Sequence, residues 1–163
     1  MKKTDYTLSK TIFTEMDMEE LCFHDSPIYA MAPVGNDLVM DIDYMFEWLE
    51  PKGREKGFTY PISPCTIYFK NVEDFGMSFE GSYPETALIM QDFAEDDNKF
   101  FPEQHIYNIG CLGGNFVLRC DGFELIVRQK PVLTKRQGLT MKQRGGISFS
   151  RKPYKRIKTT AMN

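Results

Sequence analysis

In residues 37–48, DLVMDIDYMFEW, every second position is apolar or aromatic: Leu38, Met40, Ile42, Tyr44, Phe46 and Trp48. The opposite parity carries Asp37, Asp41, Asp43 and Glu47. Successive side chains of a strand point to opposite faces, so this period of two predicts a β-strand with one buried face and one acidic, solvated face. The preceding run, PIYAMAP, followed by Val34-Gly35-Asn36, predicts the first arm of a hairpin. Placing apolar residues opposite apolar residues favours a three-residue loop, 34–36, with Ala30 opposite Met40 and Ile28 opposite Ile42. A two-residue Gly35-Asn36 loop sets Ala30 against Asp41, and a one-residue slip exchanges the two faces.

The same reading extends along the chain. Residues 1–20 form a loose lead-in with a short helix near 15–21. The segment 50–57 is a charged turn rich in Gly and Pro, 65–70 and 77–80 are strands, and 84–93 has a helix-like spacing. Residues 92–98 are an acidic turn. Residues 115–129 form a hairpin about Asp121-Gly122, a type I′ signal that pairs Cys120 with Phe123, Arg119 with Glu124, and Leu118 with Leu125. Gly110–Gly114 connects two strands, 130–140 is irregular or helical, and 145–150 is a last strand. Short strands, two hairpins and no βαβ alternation predict a mostly β protein: a single antiparallel domain over 21–150, rolled or sandwiched, with one or two short helices. Leu38, Met40, Ile42, Ile67, Phe69, Phe116, Leu118, Leu125 and Val127 are the expected core, with Trp48 as a further anchor. A basic tail, 151–163, has no apolar pattern and is expected to fray.

Charge changes this picture. No acidic residue follows Glu124, yet eleven basic ones do, so a net charge of −3 conceals an acidic body and a basic end. The simpler reading is a basic segment lying on the acidic body of the same chain or a second copy. The alternative is a nucleic-acid contact through Arg151, Lys152, Lys155, Arg156 and Lys158. It ranks last, because an acidic body repels a polyanion. No run approaches the ~20 apolar residues of a membrane helix. The N-terminus lacks the apolar core of a secretory signal, so a cytoplasmic protein is expected. Cys22, Cys65, Cys111 and Cys120 form no C-x-x-C pair and read as free thiols, Cys65 and Cys120 being small buried hydrophobes.

The acidic strand face is the lead to chemistry. Asp41-Ile42-Asp43 imitates the Asp-x-Asp of nucleotide-sugar transferases and the nucleophile of haloacid-dehalogenase phosphatases. Both of those sit on parallel α/β sheets, whereas this strand leaves a tight hairpin. Alternate strand residues lie about 6.6–7 Å apart, and the preferred register carries His24 and Asp25 toward Asp43. The candidate site is therefore His24, Asp25, Asp41, Asp43 and Glu47. His24, Asp25, Asp41 and Asp43 are the donors that suit a divalent metal (Mn²⁺, Mg²⁺ or Zn²⁺), the one cofactor the pattern admits. Against this stands a plain solvated acidic face.

Phe23-His24-Asp25-Ser26-Pro27-Ile28-Tyr29, LVMDIDYMFEW, SPCTIYFKNVEDF, FELIVRQKPVLTKRQGL and RGGISF together resemble a family of small uncharacterised bacterial proteins, over roughly 24–149. In that family a Trp usually precedes the His-Asp pair, where this chain has Phe23. The resemblance implies a cytoplasmic single-domain protein and supplies no catalytic residues. The expected function is a non-enzymatic protein-binding module, immunity- or antitoxin-like, whose acidic patch captures a basic partner. A metal-dependent hydrolase is the alternative, and a weak nucleic-acid binder the third.

Overall fold

The computed structural model describes residues 6–80 and 88–155. Among these the chain forms β1 (Ile12–Thr14), a 3-10 turn (Glu15–Glu20), β2 (Pro27–Val34), β3 (Asp37–Met45) and β4 (Tyr60–Phe69). It continues through β5 (Asp74–Phe79), β6 (Leu88–Asp96), β7 (His105–Cys111), β8 (Gly114–Cys120), β9 (Phe123–Val127), β10 (Val132–Thr134) and a one-turn helix α1 (Met141–Arg144). One antiparallel sheet runs β1-β9-β4-β3-β2-β6-β7-β8-β5, with β10 added to β4 in line with β9. The protein is thus mostly β and antiparallel, as the alternating pattern requires.

The sheet consists of two halves joined by a narrow seam, where, among the described residues, Pro27 pairs with Ile89 and Ile28 with Leu88, and backbone bonds link Asp25 and Ser26 to Met90. Its apolar faces turn toward one another. Phe123 of β9 lies 5.5 Å from Phe93 of β6 and 5.6 Å from Tyr107 of β7, ring centre to ring centre. All nine expected core residues belong to this one buried cluster. Trp48 does not. It is 44% exposed and packs edge-on against Phe58 and Tyr60, because β3 ends at Met45 and the parity rule ends with it.

The hairpin expected at 115–129 is absent. β8 pairs with β7 and β5, and β9 with β4 and β1. A strand has two edges, and both edges of β8 are taken. Asp121-Gly122 is instead the corner where the chain passes from one half-sheet to the other. Only Gly122 there has positive φ, at 118°, so the two left-handed residues of a type I′ turn are not made. Arg119 accordingly pairs with Glu73 and Asp74, and Glu124 faces Arg151 at 3.8 Å.

The β2–β3 loop has two residues, not three. Val34 pairs with Asp37 and Ala30 with Asp41, then an irregularity at Tyr29 restores Ile28 opposite Ile42. The apolar-to-apolar criterion fails here because both faces of β3 are buried. Residues 88–96 are a strand where a helix and an acidic turn were expected, and 84–87 lie outside the described residues. Over 6–20 the lead-in is not loose: β1 pairs with β9, and Leu8 and Phe13 enter the core, while residues 1–5 lie outside the described residues. Residues 145–150 form no strand. The tail does not fray over 151–155: the Tyr154 amide donates to the Val127 carbonyl at 3.0 Å, and its ring packs on the core.

Candidate functional site

The acidic face of β3 is covered. Asp41 and Asp43 are 0% and 1% exposed, because the chain after β10 lies across β3 and β4 as a strap. Leu139 seats the strap in a small apolar cluster with Met45, Tyr60 and Ile62. Thr140 then caps α1 reciprocally with Gln143, and Gly145, left-handed at φ 74°, ends the helix after one turn. This places Arg144 directly over the carboxylates.

The geometry is that of a closed ionic cluster. Arg144 donates Nη1 to Asp41 Oδ2 at 2.8 Å and Nη2 to Asp41 Oδ1 at 2.7 Å, a bidentate pair, and Nε to Asp43 Oδ1 at 3.2 Å. Arg128 also donates to Asp41, and to the Ser148 carbonyl. Further donors are the Ser148 amide to Asp41 (3.0 Å), and the Leu139 amide (2.8 Å) and the Tyr29 hydroxyl (2.9 Å) to Asp43. The Arg144 guanidinium stacks on the Tyr29 ring at 4.0 Å. Burial opposes the Arg144 charge, but the bonds and charges of Asp41 and Asp43 outweigh it and raise its pKa. Burial, reinforced by the Asp43 charge, raises that of Tyr29. Two carboxylates and two guanidiniums leave the cluster neutral.

The expected five-residue site is not assembled. Asp41 and Asp43 come together, but the cation between them is a guanidinium. His24 is exposed, its Nδ1 on the Gln91 carbonyl at 3.0 Å and its Nε2 3.6 Å from Asp25. Asp25 accepts from Gln137 at 2.9 Å, and Glu47 stands beside Tyr6, beyond the end of β3. Among the described residues no three His, Cys, Asp or Glu side chains are grouped to hold a metal. Of the basic patch, Arg151 stacks on Tyr68 at 3.5 Å, Lys152 and Lys155 are exposed, and Arg156 and Lys158 lie outside the described residues. Sequence reasoning missed Arg128, Tyr29 and Arg144. The Thr140…Gln143 capping box before Gly145-Gly146, inside a segment with no acids, was the available signal.

A second acidic surface lies on the other half-sheet. Register aligns Asp96 of β6 with Ile106 of β7, Ile106 with Arg119 of β8, and Arg119 with Asp74 of β5. At this end gather Glu73, Asp74, Asp96, Asp97, Glu103 and Asp121, with Phe100 and Phe101 exposed between them. Residues 73–121 hold ten acids against Lys99 and Arg119, and Arg119 is engaged by Glu73 and Asp74. A groove of about 460 Å³ runs among Glu73, Phe100, Phe101, Glu103, Asp121 and Arg119, whose guanidinium lies 3.9 Å over the Phe101 ring. Compared with protein-family models, curated proteins and solved structures, the chain matches none. Among the described residues no helix is long and apolar enough to cross a membrane.

Proposed function

We propose that this chain is a non-enzymatic protein-binding module, immunity- or antitoxin-like, that captures a basic partner on the acidic end of β5–β8. The carrying observation is the segregation of charge after folding. The strap neutralises Asp41 and Asp43 within the first half-sheet. The acids of the second half-sheet have few bases beside them and stay at the surface, with aromatic side chains among them. Such a surface steers and orients a basic protein, and aromatic residues supply contact area at low conformational cost. A hydrolase at Asp41 and Asp43 gains no support, because their oxygens are engaged by arginines and backbone amides. A nucleic-acid contact through Arg151, Lys152, Lys155, Arg156 and Lys158 stays last in rank, because the acidic end of β5–β8 repels a polyanion.

The test is capture of the partner from cells by the full chain, beside a variant carrying Asp96→Lys and Asp97→Lys. The expected result is a basic partner that the variant loses while keeping the parent's melting temperature. A partner held equally by both proteins overturns the assignment.

A further inference from the structure

β5 is an edge strand guarded only by acids at its ends. Among the described residues it pairs only with β8, and all six of its residues are exposed. Its pairing is unbroken from Asp74 to Phe79, with no bulge, and it contains no Lys and no Pro. Natural sheets protect exposed edges with such devices, because an open row of backbone groups recruits another strand. The other end of the sheet, β1, is three residues long.

The side chains add direction. Phe75, Met77 and Phe79 alternate on one face, at 43%, 63% and 38% exposure. Met77 pairs with Phe116, and Phe75 and Phe79 lie 6.0 and 5.2 Å from the ring of that buried residue. The core face therefore continues uncovered to the margin of β5. Beside it lies a groove of about 370 Å³ lined by Met31, Pro33, Leu38, Val72 and Phe75 together with Asn36 and Asp37. Where β5 begins, Glu73 leads into the acidic, aromatic groove with Phe101 and Glu103.

We propose that β5 is the docking site for an extended segment of the partner, which adds as a further strand. Its alternate apolar side chains cover Phe75, Met77 and Phe79. A Lys or Arg flanking that run lays its stem on the exposed Phe100 and its charge beside Glu103 and Asp121. Charge selects this occupant over a second copy: β5 is bounded by Glu73, Asp74 and Glu80, and two such acidic surfaces repel. This rests on the protein-capture reading and names the mode of capture.

The experiment titrates the full chain with short fluorescent peptides of alternating valine and threonine, read by anisotropy. One peptide ends in arginines, one in glutamates, and one is arginine-ended with alternate backbone amides N-methylated. The arginine-ended peptide should bind. N-methylation should weaken it about tenfold or more, and so should glutamate ends. Met77→Lys, which restores an edge guard at an exposed position, should cause a similar loss. Glu103→Lys should weaken the arginine-ended peptide at unchanged melting temperature, an independent readout that still decides the matter if Met77→Lys misfolds. Equal binding of the N-methylated peptide, no binding of the arginine-ended one, or a dimer dissolved by Met77→Lys each overturns strand addition. A natural partner lost with Asp96→Lys and Asp97→Lys but held by Met77→Lys leaves protein capture standing and removes only this mode.

Discussion

Arg144 closes a cluster in which every carboxylate oxygen of Asp41 and Asp43 has a donor. Removing one member of a buried ion pair leaves an uncompensated charge and costs about 3–5 kcal/mol, whereas replacing the whole set with apolar groups is often neutral. Arg144→Met should therefore lose about 3–5 kcal/mol in urea unfolding. Adding Asp41→Asn and Asp43→Asn to it should recover part of that loss, a non-additivity that a mutant cycle measures. The thiols give a second expectation at this scale. Burial pushes the Cys111 and Cys120 thiols up to about 11, and that of Cys65 higher still, while Cys22 is exposed. Thiolate is the reacting form, so native alkylation at mildly alkaline pH should give one adduct, at Cys22, by peptide mass mapping. The alternation in 37–48 disclosed which β3 residues face the aromatic core. It could not disclose that the acidic parity is equally buried, because Arg144 lies 103 residues from Asp41 and no local period reports so distant a cover.

At the scale of elements, Asp37 ties the start of β3 to the turn after β4. It accepts from the Tyr68 hydroxyl and from the Asn71 amide at 2.7 Å, the latter at a left-handed residue with φ 49°. Burial alone raises an Asp pKa, but these bonds and the nearby Arg151 charge outweigh it and hold the Asp37 carboxyl below its usual range. A depressed pKa in the folded state means that the ionised form stabilises the fold. The contribution is full above the unfolded value, about 3.9, and is lost as pH falls through the folded one. The melting-temperature gap between the parent and Asp37→Asn should be widest near neutral pH and narrow below about pH 4. Strand existence was legible in the sequence wherever apolar residues alternate, as in β3 and in Phe116–Leu118–Cys120. Strand partners were less so. The Asp121-Gly122 signal is real as a break, yet which edge the next strand finds depends on edges already occupied. β6 was misread because Leu88, Ile89 and Phe93 allow a helical spacing over so short a run.

For the whole molecule, the strap lays the basic end of the chain on the acids of β3 and leaves those of the β5–β8 end uncovered. The extreme end contributes as well. Tyr154 is half-buried and its amide closes a bond on β9, together worth about 1–2 kcal/mol. For a protein of this size each kcal/mol moves Tm by roughly 2–4 °C. Ending the chain after Ser150 should lower Tm by roughly 2–8 °C in calorimetry. A fragment ending at Thr134, which lacks Leu139 and Arg144 altogether, should not give a cooperative transition.

The distance along the chain between the acids and their arginine also has a temporal meaning. Protein synthesis proceeds at roughly 5–20 residues per second, so roughly 5–20 seconds separate the appearance of Asp41 from that of Arg144. For most of that interval Asp41 lacks both of its arginines and Asp43 has only the Tyr29 hydroxyl. A product stopped upstream of Arg128 would therefore have to bury two carboxylates with no cation between them, at a cost of several kcal/mol.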